Sequence, residues 1–181
     1  MSITLILGGA RSGKSSYAQE MAAKLGRKVL YVATMEPLDS EMKSRIEAHR
    51  ESRPSHWKMV EAPRGIAGAI EGDVADADVV VIDCVTLLLT NIGDEDTGVA
   101  EWERRAADEL DGLVALANSA GAHFIVVSNE LGMGLVPIYP MGRAFRDVVG
   151  WANQMLARQA SEVFFLVAGI PIALKKEDVS P

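Results

Sequence analysis

The sequence predicts an α/β protein built on a mostly parallel sheet with helices on both faces. Short runs rich in Val, Ile and Leu recur at 3–7, 29–33, 79–82, 124–127 and 163–167, with little alternation inside each run. Unbroken apolar runs suit strands that are covered on both sides, and the intervals between them are long enough for crossover helices. The third observation is the stretch Gly8-Gly9-Ala10-Arg11-Ser12-Gly13-Lys14-Ser15, directly after the first run. It matches G-x-x-x-x-G-K-[ST] at every fixed position, the loop that cradles nucleotide phosphates between a strand and a helix.

Each part of that loop has a chemical reason. The glycines let backbone N–H groups converge on phosphate oxygens, Lys14 supplies a mobile positive charge, and the Ser15 hydroxyl can join a Mg²⁺ shell. The loop feeds the N-terminus of the next helix, whose dipole favours an anion.

Helical patterning is clearest at 14–25, 40–51, 99–119 and 142–160, with a short helix after Asp83 at 85–90. A weaker strand is read at 57–60. Ala168-Gly169-Ile170-Pro171-Ile172 reads as a turn into a last edge strand, because Pro171 removes a ladder donor. The chain has 181 residues, 49% of them hydrophobic, with no internal repeat and no linker, which predicts one nucleotide-binding domain over 1–176 and a polar tail over 177–181. Gly93 and Gly98 bracket Asp94, Glu95 and Asp96, an acidic loop read as solvated with a metal role as the alternative.

Composition narrows the class of function. Eighteen basic against twenty-five acidic residues give a net charge of −7, which argues against a general nucleic-acid surface. The longest apolar run, 79–89, is interrupted by Asp83 and is too short to span a membrane. A single Cys84 allows no internal disulfide, and no signal segment is read at the N-terminus, so a reducing cytoplasmic setting is expected. Cys84 itself lies in an apolar run and reads as core.

The run 79–82 ends in Asp83, the position at which a P-loop protein places the acid that orients Mg²⁺ and its water; capping of the following helix is the other reading. In the segment 39–54, Asp39 or Ser40 can cap a helix that Arg53-Pro54 ends, placing Met42, Ile46 and His49 on one face. Lys43, Arg45, Arg50 and Arg53 surround His49 with positive charge. A neutral imidazole there can attack phosphorus and hold the group as a phosphoramidate, or it can simply satisfy the helix dipole in the last turn. His56 is the competing histidine, and His123, at the start of a strand, reads as structural.

The glycine-rich segment 128–137, with Asn129-Glu130, follows a buried strand at the edge where α/β proteins bind ligands, and suits either a substrate loop or a plain connection. Arg143 and Arg146, one turn apart, can clamp phosphates or pair with Asp147 and Glu162.

Taken in order, these segments resemble the bifunctional adenosylcobinamide kinase / adenosylcobinamide-phosphate guanylyltransferase family of cobalamin synthesis. The resemblance runs through nearly the whole chain. It is carried by Gly8–Ser15, Tyr31-Val32-Ala33-Thr34, Glu41-Met42 with Arg45-Ile46 and His49, Arg53-Pro54 with Trp57, and Glu61. It continues through Asp83-Cys84, Leu89-Thr90-Asn91, Asn129-Glu130 with Gly132, Gly134, Val136 and Pro137, then Arg143, Phe145-Arg146-Asp147, Gly150 and Asn153-Gln154. The Arg-Ile-x-x-His and Asn-Glu-x-Gly-x-Gly segments are more specific than the P-loop.

The resemblance implies a RecA-like sheet, assembly as a homotrimer, and two reactions at one nucleotide site. Adenosylcobinamide would be phosphorylated with ATP or GTP, and GMP from GTP would then pass to adenosylcobinamide phosphate through a guanylyl-histidine, releasing pyrophosphate. It assigns the nucleophile to His49. Nucleotide contacts fall on Gly8, Gly9, Ala10, Arg11, Ser12, Gly13, Lys14 and Ser15, on Ala33, Thr34 and Met35, on Arg50, Glu51, Ser52 and Arg53, and on Glu61 and Asp83, with Mg²⁺ at Ser15 and Asp83. Ala48 stands where some relatives carry a second histidine, and family members have Asp or Glu at the position of Asp83. The loop at 92–100 departs from the family pattern. A simple small-molecule P-loop kinase and a non-catalytic RecA-like nucleotide sensor are the rival readings.

Overall fold

The computed structural model describes residues 2–36, 54–94 and 96–176. The 40–51 helix with His49, the residues Arg50, Glu51, Ser52 and Arg53, Glu95 in the acidic loop and the tail at 177–181 lie outside the described residues.

Seven strands form one sheet: β1 (Ile3–Gly8), β2 (Val29–Ala33), β3 (Lys58–Glu61), β4 (Val79–Asp83), β5 (His123–Val127), β6 (Glu162–Val167) and β7 (Ile170–Lys175). Their spatial order is β3-β2-β4-β5-β1-β6-β7. All neighbours are parallel except β6 and β7, which form an antiparallel hairpin. The helices are α1 (Lys14–Leu25), α2 (Ile66–Val74), α3 (Val85–Ile92), α4 (Val99–Ser119) and α5 (Pro140–Gln159). The α/β class expected from the apolar runs is the observed one.

Side-chain alternation within the strands sorts the core into two halves. Ile6, Val29, Tyr31, Val79, Val81, Ile125 and Val127 pack on the side of Ala18 and Ala22 from α1. Leu5, Leu30, Val32, Val80, Ile82, Phe124 and Val126 pack on the other, against Ile66 and Ile70 of α2, Leu110 and Leu113 of α4, and Val148, Ala152 and Leu156 of α5. Every residue of β1 is buried, as are Val79, Val80, Val81 and Ile82. Two-sided burial is the physical reason why these strands read as unbroken hydrophobic runs. Each such side chain contributes about 1.5–3 kcal/mol.

Two elements differ from the sequence reading. The third strand begins at Lys58, because Trp57 is drawn inward to stack on Tyr31 at 6.2 Å between ring centroids. Helix α2 was not anticipated: Gly68 and Gly72 weaken its propensity, but Ile66, Ile70 and Val74 recur every four residues and are all buried. Its free N-terminal amides are met by Glu109 of α4, whose carboxylate accepts from Gly65 N at 3.0 Å and Ile66 N at 2.7 Å. Among the described residues no helix is long and apolar enough to cross a membrane.

Candidate functional site

The strand register draws the site together. Glu61 of β3 pairs with Ala33 of β2, Ala33 with Asp83 of β4, and Asp83 with Val127 of β5. These four residues therefore form one row across the carboxyl ends of adjacent parallel strands, the edge at which open α/β sheets bind ligands. The row borders a cavity of about 570 Å³, whose other wall is the loop from Ala10 to Ser16 with Lys14 at its back.

The loop's shape depends on its glycines. Gly13, the residue before α1, is left-handed at φ 95°, and Arg11 is left-handed at φ 56°. No side chain caps α1 and no acid occupies its first turn, so its amides stay open to an anion. Gly8 has φ 153°, and a Cβ there would lie 2.6 Å from Leu166 O and 2.7 Å from Ser12 Oγ. Backbone cannot yield at the first of these contacts. Gly8→Ala is therefore expected to cost about 2–4 kcal/mol of stability, read as a lowered urea midpoint at unchanged slope.

A further support comes from the β6–β7 turn. Ala168 and Gly169 have φ 51° and 81°, the pattern of a two-residue hairpin turn. Gly169 N donates to Ser12 O at 2.9 Å, and a Cβ on Gly13 would approach Gly169 Cα to 3.2 Å. The sequence shows the turn; its contact with the phosphate loop has no local signal.

Lys14 is buried, and its ammonium donates to Gly9 O at 2.6 Å and Ser12 Oγ at 3.4 Å. Burial lowers its pKa, while the neighbouring Cys84 and Asp83 act in the opposite direction. Asp83 accepts a hydrogen bond from the Tyr31 hydroxyl at Oδ2. Tyr31 is itself fully buried, so this carboxylate is fixed from within the core.

Thr34 stands behind the cavity wall. Its hydroxyl donates to Cys84 O at 2.7 Å and accepts from Cys84 N at 2.8 Å, holding the exit of β4. Asn91 fixes it in turn, donating to Thr34 O at 2.7 Å and Pro63 O at 3.0 Å.

Ala10, Arg11, Ser12, Gly13, Lys14, Ser15, Ala33, Met35, Glu61 and Asp83 all line the cavity, whereas Gly8, Gly9 and Thr34 are not among its lining residues. Sequence reasoning missed Ser16, Met59, Leu87 and Val127 as lining residues, whereas Asn129 lies in the segment read as a substrate loop or a plain connection. Met59, Leu87 and Val127 are apolar and carry no chemical signature; each is found only from the strand or helix that carries it.

Cys84 is buried as read, yet it touches the cavity. Burial, with Asp83 adding to it, pushes its thiol up to about 12. Reaction of the native chain with a disulfide reagent at pH 8 is expected to be about a hundredfold slower than in urea, since the thiolate is the nucleophile. Equal rates would contradict that burial.

Other candidates fall elsewhere. Arg143 donates to Pro137 O at 3.0 Å and Ile138 O at 2.8 Å, tying down the chain before α5, and among the described residues neither it nor Arg146 pairs with Asp147 or Glu162. His56 is exposed in the turn before β3. His123 engages Ser2 Oγ and Thr4 Oγ1 through its two ring nitrogens, and burial lowers its pKa. In the acidic loop, Asp94 accepts from Asp96 N at 3.1 Å and Thr97 Oγ1 at 2.6 Å, a self-contained turn.

A phosphate loop at the end of β1, an acid at the end of β4, and a shared cavity at the carboxyl edge of a mostly parallel sheet define a P-loop nucleotide-binding protein of the RecA-like kind. A family model described as cobinamide kinase / cobinamide phosphate guanyltransferase matches residues 4–174. The chain belongs to that family, the bifunctional kinases and guanylyltransferases of cobalamin biosynthesis.

The bifunctional adenosylcobalamin biosynthesis protein CobU of Escherichia coli is 40% identical, over 94% of this chain and 98% of its own. CobU of Salmonella typhimurium is 39% identical over the same shares, 94% and 98%. The bifunctional adenosylcobalamin biosynthesis protein CobP of Pseudomonas aeruginosa is 39% identical over 96% of this chain and 97% of its own.

Proposed function

We propose that one cavity, within one domain spanning 1–176, runs two displacements at different phosphorus atoms of a nucleoside triphosphate, in the cytoplasm and on a corrinoid substrate. In the first, the aminopropanol hydroxyl of adenosylcobinamide attacks the γ-phosphorus of ATP or GTP and the nucleoside diphosphate leaves. In the second, His49 attacks the α-phosphorus of GTP, pyrophosphate leaves, and the phosphate of adenosylcobinamide phosphate then takes GMP from the histidine. The observation that supports a shared seat is the placement of Lys14, Asp83 and Glu61 around a single cavity.

The roles follow from position. The amides of Ala10 to Ser15 and the Lys14 ammonium hold the β- and γ-phosphates, and they also stabilise pyrophosphate as it departs. Ala33, Met35 and Glu61 flank the nucleotide on the β2–β3 side, with Arg50, Glu51, Ser52 and Arg53 as further contacts.

Ser15 and Asp83 offer a hydroxyl and a carboxylate on that cavity, the hard oxygen donors suited to Mg²⁺. Among the described residues no group of three or more His, Cys, Asp or Glu side chains is arranged for a metal. That donor set fits an ion bound largely through nucleotide phosphates and water. Bound there, Mg²⁺ would neutralise charge between the β- and γ-phosphates.

Assembly as a homotrimer belongs to the same proposal. The exposed Ile170, Ile172 and Leu174 on edge strand β7 supply apolar surface for contact between copies.

The reading is tested by supplying adenosylcobinamide and GTP and following products by chromatography. Adenosylcobinamide phosphate is expected first, then adenosylcobinamide-GDP with stoichiometric pyrophosphate. Phosphorylation without pyrophosphate release would reduce the chain to a kinase; absence of both would leave a nucleotide sensor.

A further inference from the structure

Asn129 is a polar residue lining the site to which the roles above assign nothing. Strand β5 lies between β1, which delivers the phosphate loop, and β4, which ends at Asp83. Asn129 follows β5 by two residues and lines the same cavity as Lys14 and Asp83. Topology thus sets a neutral amide between the cation and the anion of the site. Among the described residues that half-buried side-chain amide has no hydrogen-bond partner of its own.

Its backbone, by contrast, is fixed on every side. Asn129 N donates to Thr86 Oγ1 at 2.8 Å, and Asn129 O accepts from Asn153 Nδ2 at 2.9 Å. The flanking amides tie it to the phosphate-loop strand: Ser128 N donates to Ile6 O and Glu130 N to Gly8 O, each at 3.0 Å. Asn153 is the polar member of the buried stripe of α5, otherwise Val148, Val149, Ala152 and Leu156, and its Oδ1 is buried without a partner. An apolar side chain would fill that position at lower cost, so the bond to Asn129 is the feature that an asparagine there provides.

We propose that Asn129 is a catalytic residue of the phosphoryl-transfer step, its side-chain N–H donating to the γ-phosphoryl group, and that Thr86 and Asn153 are positioning residues acting through it. The proposal rests on the two-reaction reading above. In the step concerned, a bond forms between the acceptor hydroxyl oxygen and the γ-phosphorus, the bond to the β–γ bridging oxygen breaks, and the hydroxyl proton passes to water. Asn129 keeps its proton and stabilises charge on the equatorial oxygens by a hydrogen bond from an amide whose backbone Thr86 and Asn153 already hold in place. The α-phosphorus is two phosphates away, so guanylylation by GTP depends on Asn129 far less.

The test measures kinase kcat and KM for nucleotide, together with the rate of covalent guanylylation, in the full chain and its variants. Asn129→Ala is expected to lower kinase kcat about 10²–10³-fold, with nucleotide KM changed less than about threefold and guanylylation within about fivefold. The isosteric Asn129→Asp, which keeps both backbone bonds but presents a carboxylate to the phosphate, is expected to lose at least as much. Asn153→Ala should cost about 10–100-fold in kcat, and because it acts through Asn129 the double variant Asn129→Ala/Asn153→Ala should be no slower than Asn129→Ala alone. Multiplying losses in the double variant would make Asn153 a separate structural residue and overturn its positioning role. Active wild type with unchanged kcat in Asn129→Ala and Asn129→Asp, or equal losses in both reactions with raised KM, would overturn the proposal alone. A wild-type chain that transfers no γ-phosphate would remove the functional reading and the proposal with it.

Discussion

Replacing Lys14 by alanine is expected to abolish both reactions together, each falling by about 10²–10³ or more in kcat/KM. Lys14 is the buried cation at the back of the cavity, already desolvated and held by Gly9 O at 2.6 Å. A charge placed in advance costs no reorganisation when phosphate arrives, which is why its loss exceeds that of a surface cation. Both displacements use it, one on the transferring γ-phosphoryl and the other on departing pyrophosphate. The melting temperature should hold or rise, because burying an ammonium is unfavourable in the free protein.

The same burial fixes a sign for pH. Lys14 has a lowered pKa in the free chain, so it loses its proton at lower pH than an ordinary lysine. A triphosphate favours the charged form and raises the pKa again in the complex. Nucleotide affinity should therefore fall as pH climbs above the free-state value, with proton uptake on binding across that alkaline window. Titration calorimetry in two buffers of different ionisation enthalpy reads the uptake, and proton release there would contradict the assignment. Folding shows the reverse slope: the folded state binds fewer protons than the unfolded one in this window, so this group's contribution to stability grows as pH rises.

Replacing His49 by alanine is expected to separate the two reactions. Guanylyl transfer should drop on the order of 10³-fold or more, since the covalent route is removed, while γ-transfer, a direct displacement by the acceptor hydroxyl, should stay within about fivefold. Separate assays for nucleoside diphosphate and for pyrophosphate distinguish them. Equal losses in both would make His49 a nucleotide contact instead of a nucleophile. One fixed pose of the triphosphate does not present both the γ-phosphorus to a hydroxyl and the α-phosphorus to an imidazole. The two-reaction reading thus requires either a shift of the nucleotide or movement of the 40–51 segment. Identical positions in complexes trapped at the two stages would count against it.

Much of this was legible in the residues. The phosphate loop and Asp83 could be read because their chemistry restricts residue type at fixed spacing, and the sheet could be read because burial on both faces leaves unbroken runs such as Val79, Val80, Val81 and Ile82. Helix α2 escaped because Gly68 and Gly72 masked a stripe that only tertiary packing makes helical. Asn129 stood in a segment with two readings, and what separates them is β5 lying between β1 and β4, a fact of strand order. The hold of Gly169 on Ser12 is of the same kind, joining residues 157 positions apart. Arg143, read as a clamp or an ion-pair partner, instead satisfies the carbonyls of Pro137 and Ile138, an option no spacing rule raises.

The claim that one cavity serves two phosphorus atoms is tested most directly by incubating the chain with GTP labelled at the α-phosphate, and in parallel at the γ-phosphate, then denaturing it and mapping the labelled peptide. The account predicts acid-labile α-label on the peptide carrying His49, no protein-bound γ-label, and release of the α-label as adenosylcobinamide-GDP when adenosylcobinamide phosphate is added before denaturation. Absence of α-label, or α-label undiminished in His49→Ala, would contradict it.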